Sequence, residues 1–170
     1  LRVENVSRGA RLKDVSFVLH RGEVLGVAGL LGAGRTELAR VIAGADAADA
    51  GRITVNGKPV RVRSPRDAIR AGIGLVPEDR KRQGLVLPQS VAANLSLPQL
   101  SRLARGGVVS RAREREIAVR WTRDLRIKTP GIDTRVLTLS GGNQQKVVLG
   151  KWLAAGAMEM KVGAPVIGLN

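Results

Sequence analysis

The chain has 170 residues, a net charge of +15 and an apolar share of 44%, which suits one domain with a core. It has no cysteine and one histidine, His20, which excludes a disulfide framework, thiolate metal sites and a histidine cluster. Aromatics are only 2% of the chain, which weakens a nucleic-acid reading based on stacked bases.

The longest apolar run, Val24 to Gly34, falls short of the roughly 20 residues that a membrane helix needs. Leu1 begins a strand-like segment directly, so no signal peptide is expected. The basic excess admits three partners: nucleic acid, an anionic membrane surface, or phosphate ligands. Because the charges are scattered, solvated surface faces account for them equally well.

In chain order, Arg2–Val6 and Leu12–Leu19 read as strands, the second with Val15, Phe17 and Leu19 on one face. Glu23–Ala28 is nearly all apolar and reads as a strand buried on both faces. A glycine bend follows, then a helix over Thr36–Ala43 that Gly44 ends. Arg52–Val55 and Lys58–Val62 flank Asn56-Gly57, a strong type I′ hairpin signal. Ser64-Pro65 opens a short helix closed by Gly72, Ile73–Val76 is a second buried strand, and Pro77–Gly84 is a charged loop. From Leu85 the pattern turns helical. Ser110 is placed to cap a helix carrying Ile117, Trp121 and Leu125, and Ser140 to cap another with Val148/Trp152 and Leu149/Leu153 as stacked pairs. The chain is therefore expected to be α/β over 1–84, helical over 85–154 and atypical over 155–170.

Two stretches carry chemistry. In GLLGAGRT, Gly29, Gly32, Ala33, Gly34, Arg35, Thr36 and Glu37 follow a strand and open a helix. Glycines there let successive amides point inward, the helix start adds positive potential, and Thr36 offers a hydroxyl to Mg²⁺ between phosphates. Arg35 stands where a lysine is usual. It keeps the charge but presents a planar fork, which favours binding over hydrolytic geometry. A dinucleotide fingerprint fails, because Glu37 occupies the third glycine's place. The second stretch is LSGGNQQK, with Leu139, Ser140, Gly141, Gly142, Asn143 and Gln144 at a helix start, a second anion nest. Read alone, it is equally a serine cap followed by flexible glycines.

Together these motifs resemble the nucleotide-binding subunit of ABC transporters, whose signature is LSGGQ. LSGGNQQKVVLGKWLA, GEVLGVAGLLGAGRTEL and SPRDAIRAGIGLVPEDRKRQGL are similar to the second ATPase cassette of monosaccharide importers of the ribose, xylose and galactose type. The resemblance covers Leu1 to about Ala154 and implies a P-loop NTPase core with an N-terminal antiparallel β portion and a helical subdomain. It implies ATP and Mg²⁺ as cofactors, and a second cassette facing head to tail, so that Ser140, Gly141 and Gly142 touch ATP bound by the partner. Transmembrane permease subunits and, indirectly, a sugar-binding protein are implied as further partners, with a peripheral position on the cytoplasmic face of the membrane. Glu78 stands at the family's Q-loop glutamine, where a carboxylate can still take Mg²⁺; a solvated surface acid remains the alternative. Near Ser7–Leu12 the family often carries an aromatic to stack on adenine, and none is present here.

Hydrolysis needs an acid to hold Mg²⁺ and a group to place water. In the family these come from a strand ending in Asp-Glu and from a switch histidine. Here the only acid after Asp133 is Glu159, and AGAMEMKVGAPVIGLN does not match such a strand. The chain is therefore expected to be cut short after the signature helix, to lack part of the core sheet, and to be inactive and aggregation-prone alone. The leading expectation is a fragment of a bacterial sugar importer's ATP-binding subunit. Its alternatives are a non-catalytic regulatory nucleotide-binding module and, remotely, a basic nucleic-acid-binding domain; no nucleic acid is expected.

Overall fold

The computed structural model describes residues 1–30, 32–156 and 166–168, with side-chain burial for 1–30 and 32–155. It divides into two compact units, Leu1–Leu75 with Met160–Asn170, and Val76–Glu159.

The first unit is a four-stranded antiparallel sheet under a helix. Strands β1 (Arg2–Arg8), β2 (Leu12–Val18), β3 (Ala50–Val55) and β4 (Lys58–Val60) lie in the order β2-β1-β3-β4. Val3 and Val6 are both buried although they are three apart, a spacing that strict alternation forbids. A register shift between them, with Asn5 at φ 51°, absorbs the extra residue and turns both valines inward. Helix α1 (Arg35–Ile42) lays Leu38, Val41 and Ile42 on this face, where they join Ile53, Val55 and Ile73 in one core. The Asn56-Gly57 hairpin forms as expected, both residues having positive φ, but β4 ends at Val60 rather than Val62. Ser64 caps α2 (Pro65–Arg70), its hydroxyl accepting from the Asp67 amide. Strand β5 (Gly74–Val76) pairs with β8 (Val166–Gly168).

One expectation is corrected. Residues 23–30 form no regular strand and are exposed throughout, with Val24 at 95% and Leu30 at 87%. A strand buried on both faces needs ladder partners on each side. Among the described residues the sheet closes with β2 as an edge and supplies none.

The second unit is helical. It contains α3 (Val91–Ser96), α4 (Leu100–Leu103), a small hairpin of β6 (Ala104–Arg105) and β7 (Val108–Val109), α5 (Arg111–Asp124) and α6 (Gly141–Gly156). Val91, Leu95, Ala118, Val136, Val147 and Val148 form its core, with Trp121, Leu125 and Trp152 packed against them. Gly150 sets how closely the helices approach: a Cβ there would stand 2.7 Å from Leu95 Cδ2 and 2.9 Å from Leu125 Cδ1. The charged loop contains a wide helical turn, Arg80–Gly84, capped by the Asp79 carboxylate, which accepts from the Lys81 and Arg82 amides. Ser110 does stand before α5, but its side chain makes no capping bond; instead its amide donates to Leu103 O, tying it to α4.

Candidate phosphate-binding bends

The first bend is open backbone. Gly32 and Gly34 have φ of +84° and +83°, a region in which side chains are strained. A Cβ on Gly34 would stand 2.8 Å from Arg11 O, and one on Gly29 would stand 3.0 Å from the Ala33 Cβ. Glycine is thus required both by conformation and by space. The first intrahelical bond of α1 runs from the Leu38 amide to Gly34 O, and Ala33 N donates to Leu30 O. The amides of Gly34, Arg35 and Thr36 have no backbone acceptor among the described residues, as at any uncapped helix start. The donor set suits a phosphate: bare amides at the positive end of a helix, a guanidinium and a hydroxyl. Ala33 and Thr36 are exposed, Arg35 and Glu37 half-buried, and the Arg35 stem folds back over Gly29.

Glu37 is committed through its carboxylate to Arg11. It accepts from Arg11 at 2.9 Å, which with its own amide holds its carboxyl below the usual range. Arg11 belongs to the turn between β1 and β2 and closes over the start of α1 through both its carbonyl and its guanidinium. Nothing in the sequence signalled this, because the contact spans more than twenty residues and depends on sheet register.

At the second bend, Ser140, Gly141 and Gly142 are exposed at the first turn of α6, while Leu139 belongs to the core. Asn143 is committed locally: Nδ2 donates to Ser140 Oγ at 2.9 Å and Oδ1 accepts from the Lys128 amide at 2.8 Å. Gln144 is buried, and its Nε2 donates to Val136 O and Leu139 O, each at 3.2 Å. The signature stretch therefore offers three residues to a ligand and uses three to hold them. Arg80, whose place here the sequence does not show, lies beside the bend: its Nη2 is 2.7 Å from where a Cβ on Gly141 would be.

Thr36 lies in the first unit and Glu78, exposed, in the second. Among the described residues no three His, Cys, Asp or Glu side chains gather as a metal site. Glu159 lies outside the described residues, as do Leu31 in the glycine stretch and most of the 155–170 tail. No helix among the described residues is long and apolar enough to cross a membrane.

The family profile described as "ABC transporter" matches residues 12–158. Over the whole chain, 46% of residues are identical to a putative ribose/galactose/methyl galactoside import ATP-binding protein of Rhizobium meliloti, of which the match covers 34%. A ribose import ATP-binding protein of Rubrobacter xylanophilus is 50% identical, again over 34% of its length. The chain thus spans about a third of the curated relatives it matches. Among solved structures, a nucleotide-free ATP-binding cassette superposes with a TM-score of 0.71 at 23% identity, covering 91% of this chain and 64% of that one. A dimeric cassette bound to ADP and phosphate gives 0.69 at 22% identity, covering 91% and 69%. These last two likenesses concern the fold.

Proposed function

The chain belongs to the ABC transporter family, and on that premise we propose that it is part of the ATP-binding subunit of a bacterial importer of simple sugars. In this reading Gly29, Gly32, Ala33, Gly34, Arg35, Thr36 and Glu37 form the ATP phosphate cradle, with the Thr36 hydroxyl offered to Mg²⁺; Glu78 is taken separately as a carboxylate able to accept Mg²⁺. Ser140, Gly141 and Gly142 meet the phosphates of ATP held by a second cassette. Permease subunits at the cytoplasmic face of the membrane, and indirectly a sugar-binding protein, are the remaining partners. That the relatives are import ATP-binding proteins supports the transport class.

One observation carries the ligand assignment. Gly34 stands in a left-handed conformation with no room for a side chain, and among the described residues the amides of residues 34–36 have no backbone acceptor. When bound, Mg²⁺ supplies charge neutralisation of the phosphates. The chain's own residues supply amide donors, the Arg35 cation and the Thr36 hydroxyl. A second reading, binding without turnover, is favoured by Arg35 itself, whose planar fork differs in size and geometry from a lysine ammonium.

Calorimetric titration of MgATP into the wild type, Arg35→Lys and Arg35→Ala tests both. Loss of affinity in Arg35→Ala, by about tenfold for a charge-assisted bond, is expected. Equal affinity in all three variants overturns the assignment of Arg35. Salt-sensitive binding of a DNA duplex, indifferent to ATP, supports the basic-domain alternative instead.

A further inference from the structure

Lys151 is the one charged side chain among the described residues that the interior encloses, at 6% exposed. None of the ion pairs among the described residues involves it. Burial alone pushes its pKa down to about 8. A methionine has similar length and would fill the same space without desolvating a charge, so packing does not explain a lysine here. The ammonium stands 5.1 Å from the centroid of the neighbouring Trp152 ring and donates its hydrogen bond to Gly84 O, the last carbonyl of the turn at Arg80–Gly84.

That turn lies along α6. A Cβ on Gly84 would stand 3.1 Å from Val148 Cγ2, one helical turn before Lys151, and 3.3 Å from Arg80 Cβ and Pro77 Cγ. At its other end the Arg80 guanidinium rests against Gly141, with Nε 3.4 Å from Gln144 Oε1. One short turn therefore touches α6 at its start, middle and third turn.

We propose that Lys151 is a positioning residue for the Ser140–Gly142 bend: by holding Gly84 O it keeps the Arg80–Gly84 turn seated on α6, and so keeps the Arg80 cation beside the amides that Gly141 and Gly142 present. This rests on the reading of that bend as a phosphate contact. Arg80 and the start of α6 then act together on an anion, the cation adding to the helix-end potential.

The test compares Lys151→Met, Lys151→Arg and Gly84→Ala in the full chain by amide-resolved NMR. Hydrogen exchange of the Gln144 amide, which bonds to Ser140 O, reads the seating of the bend. Shifts of the Gly141 and Gly142 amides during titration with inorganic pyrophosphate read the anion contact. In Lys151→Met, Gln144 is expected to exchange about tenfold faster and pyrophosphate to bind about tenfold more weakly, while amides of α3 keep their protection. Lys151→Arg, which restores a donor, recovers most of both effects. Gly84→Ala keeps the lysine but crowds the turn against Val148, so a smaller loss in the same direction is expected even if Lys151→Met fails to fold. Wild-type exchange and affinity in both Lys151→Met and Gly84→Ala overturn the proposal, as does a loss of protection spread evenly over α3. If pyrophosphate leaves Gly141 and Gly142 unmoved in the wild type, the phosphate reading of the bend falls, while Gln144 exchange still decides whether Lys151 seats it.

Discussion

The two glycine bends look alike in sequence and are held by different physics. The bend at Gly29–Thr36 follows a run of exposed residues, 20–28, and depends on backbone geometry, with the Arg11 carbonyl against Gly34 and an Arg11–Glu37 pair beside it. The bend at Ser140–Gly142 is the exposed tip of a packed helix whose Leu139, Gln144, Val147 and Val148 are all buried. A glycine bend can thus be held by conformational restriction in one unit and by core packing in the other. The first should fail through local strain, the second through loss of its unit's core.

Overpacking offers the largest test. Gly150→Val puts methyl groups where a Cβ alone would already meet Leu95 and Leu125, and it should cost about 3 kcal/mol. Chemical denaturation should show the helical unit melting earlier while β-sheet signal from the first unit persists. If both units melt together, the contrast drawn between them is wrong. At the first bend, Gly34→Val is expected to lower MgATP affinity about a hundredfold with little change in the α6 unit, since a branched side chain is strained at positive φ and collides with Arg11 O. Isothermal titration would read this, and an unchanged dissociation constant would remove the backbone argument.

Acid separates the units next. Asp46 accepts from Arg40 and from Arg8, and its pKa falls from 3.8 to about 2, chiefly through the Arg40 bond. A carboxylate lowered in this way contributes fully above its ordinary value, and the contribution disappears as pH falls from about 4 toward 2. The first unit should lose ~2 kcal/mol over that window, and Asp46→Asn should flatten the dependence. A stability curve whose slope there matches the wild type in Asp46→Asn would contradict the pairing. The smallest effect contrasts two serines within the second unit. Ser90 Oγ accepts from the Ala93 amide at 3.1 Å, so Ser90→Ala should cost about 1 kcal/mol. Ser110 makes no such bond, so Ser110→Ala should change the melting temperature very little.

Much of this was legible in the residues. Pro65 after Ser64, Asn56-Gly57 and the apolar spacing of α1 and α6 each specify a local conformation through short-range sterics and hydrogen bonds. The first glycine bend was legible for the same reason, since glycine takes at little cost the positive φ found at Gly32 and Gly34, while Gly141 and Gly142 stood out by their place at a helix start. Family membership followed from the order of those bends and the residues around them.

Less legible was the state of residues that depend on distant partners. Val24, Leu25 and Val27 read as buried because apolar composition implies a neighbour, yet burial belongs to the neighbour as much as to the residue. Asn143 and Gln144 belong to the second glycine stretch by sequence, and the fold uses their side-chain amides to hold the bend from beneath. Local conformation was therefore determined by the chain itself, down to which amides are bare. Arg11 over the first bend, Arg80 beside the second and a buried Lys151 behind it were decided only by tertiary structure, because each spans residues far apart in the chain and exists only when separate elements pack.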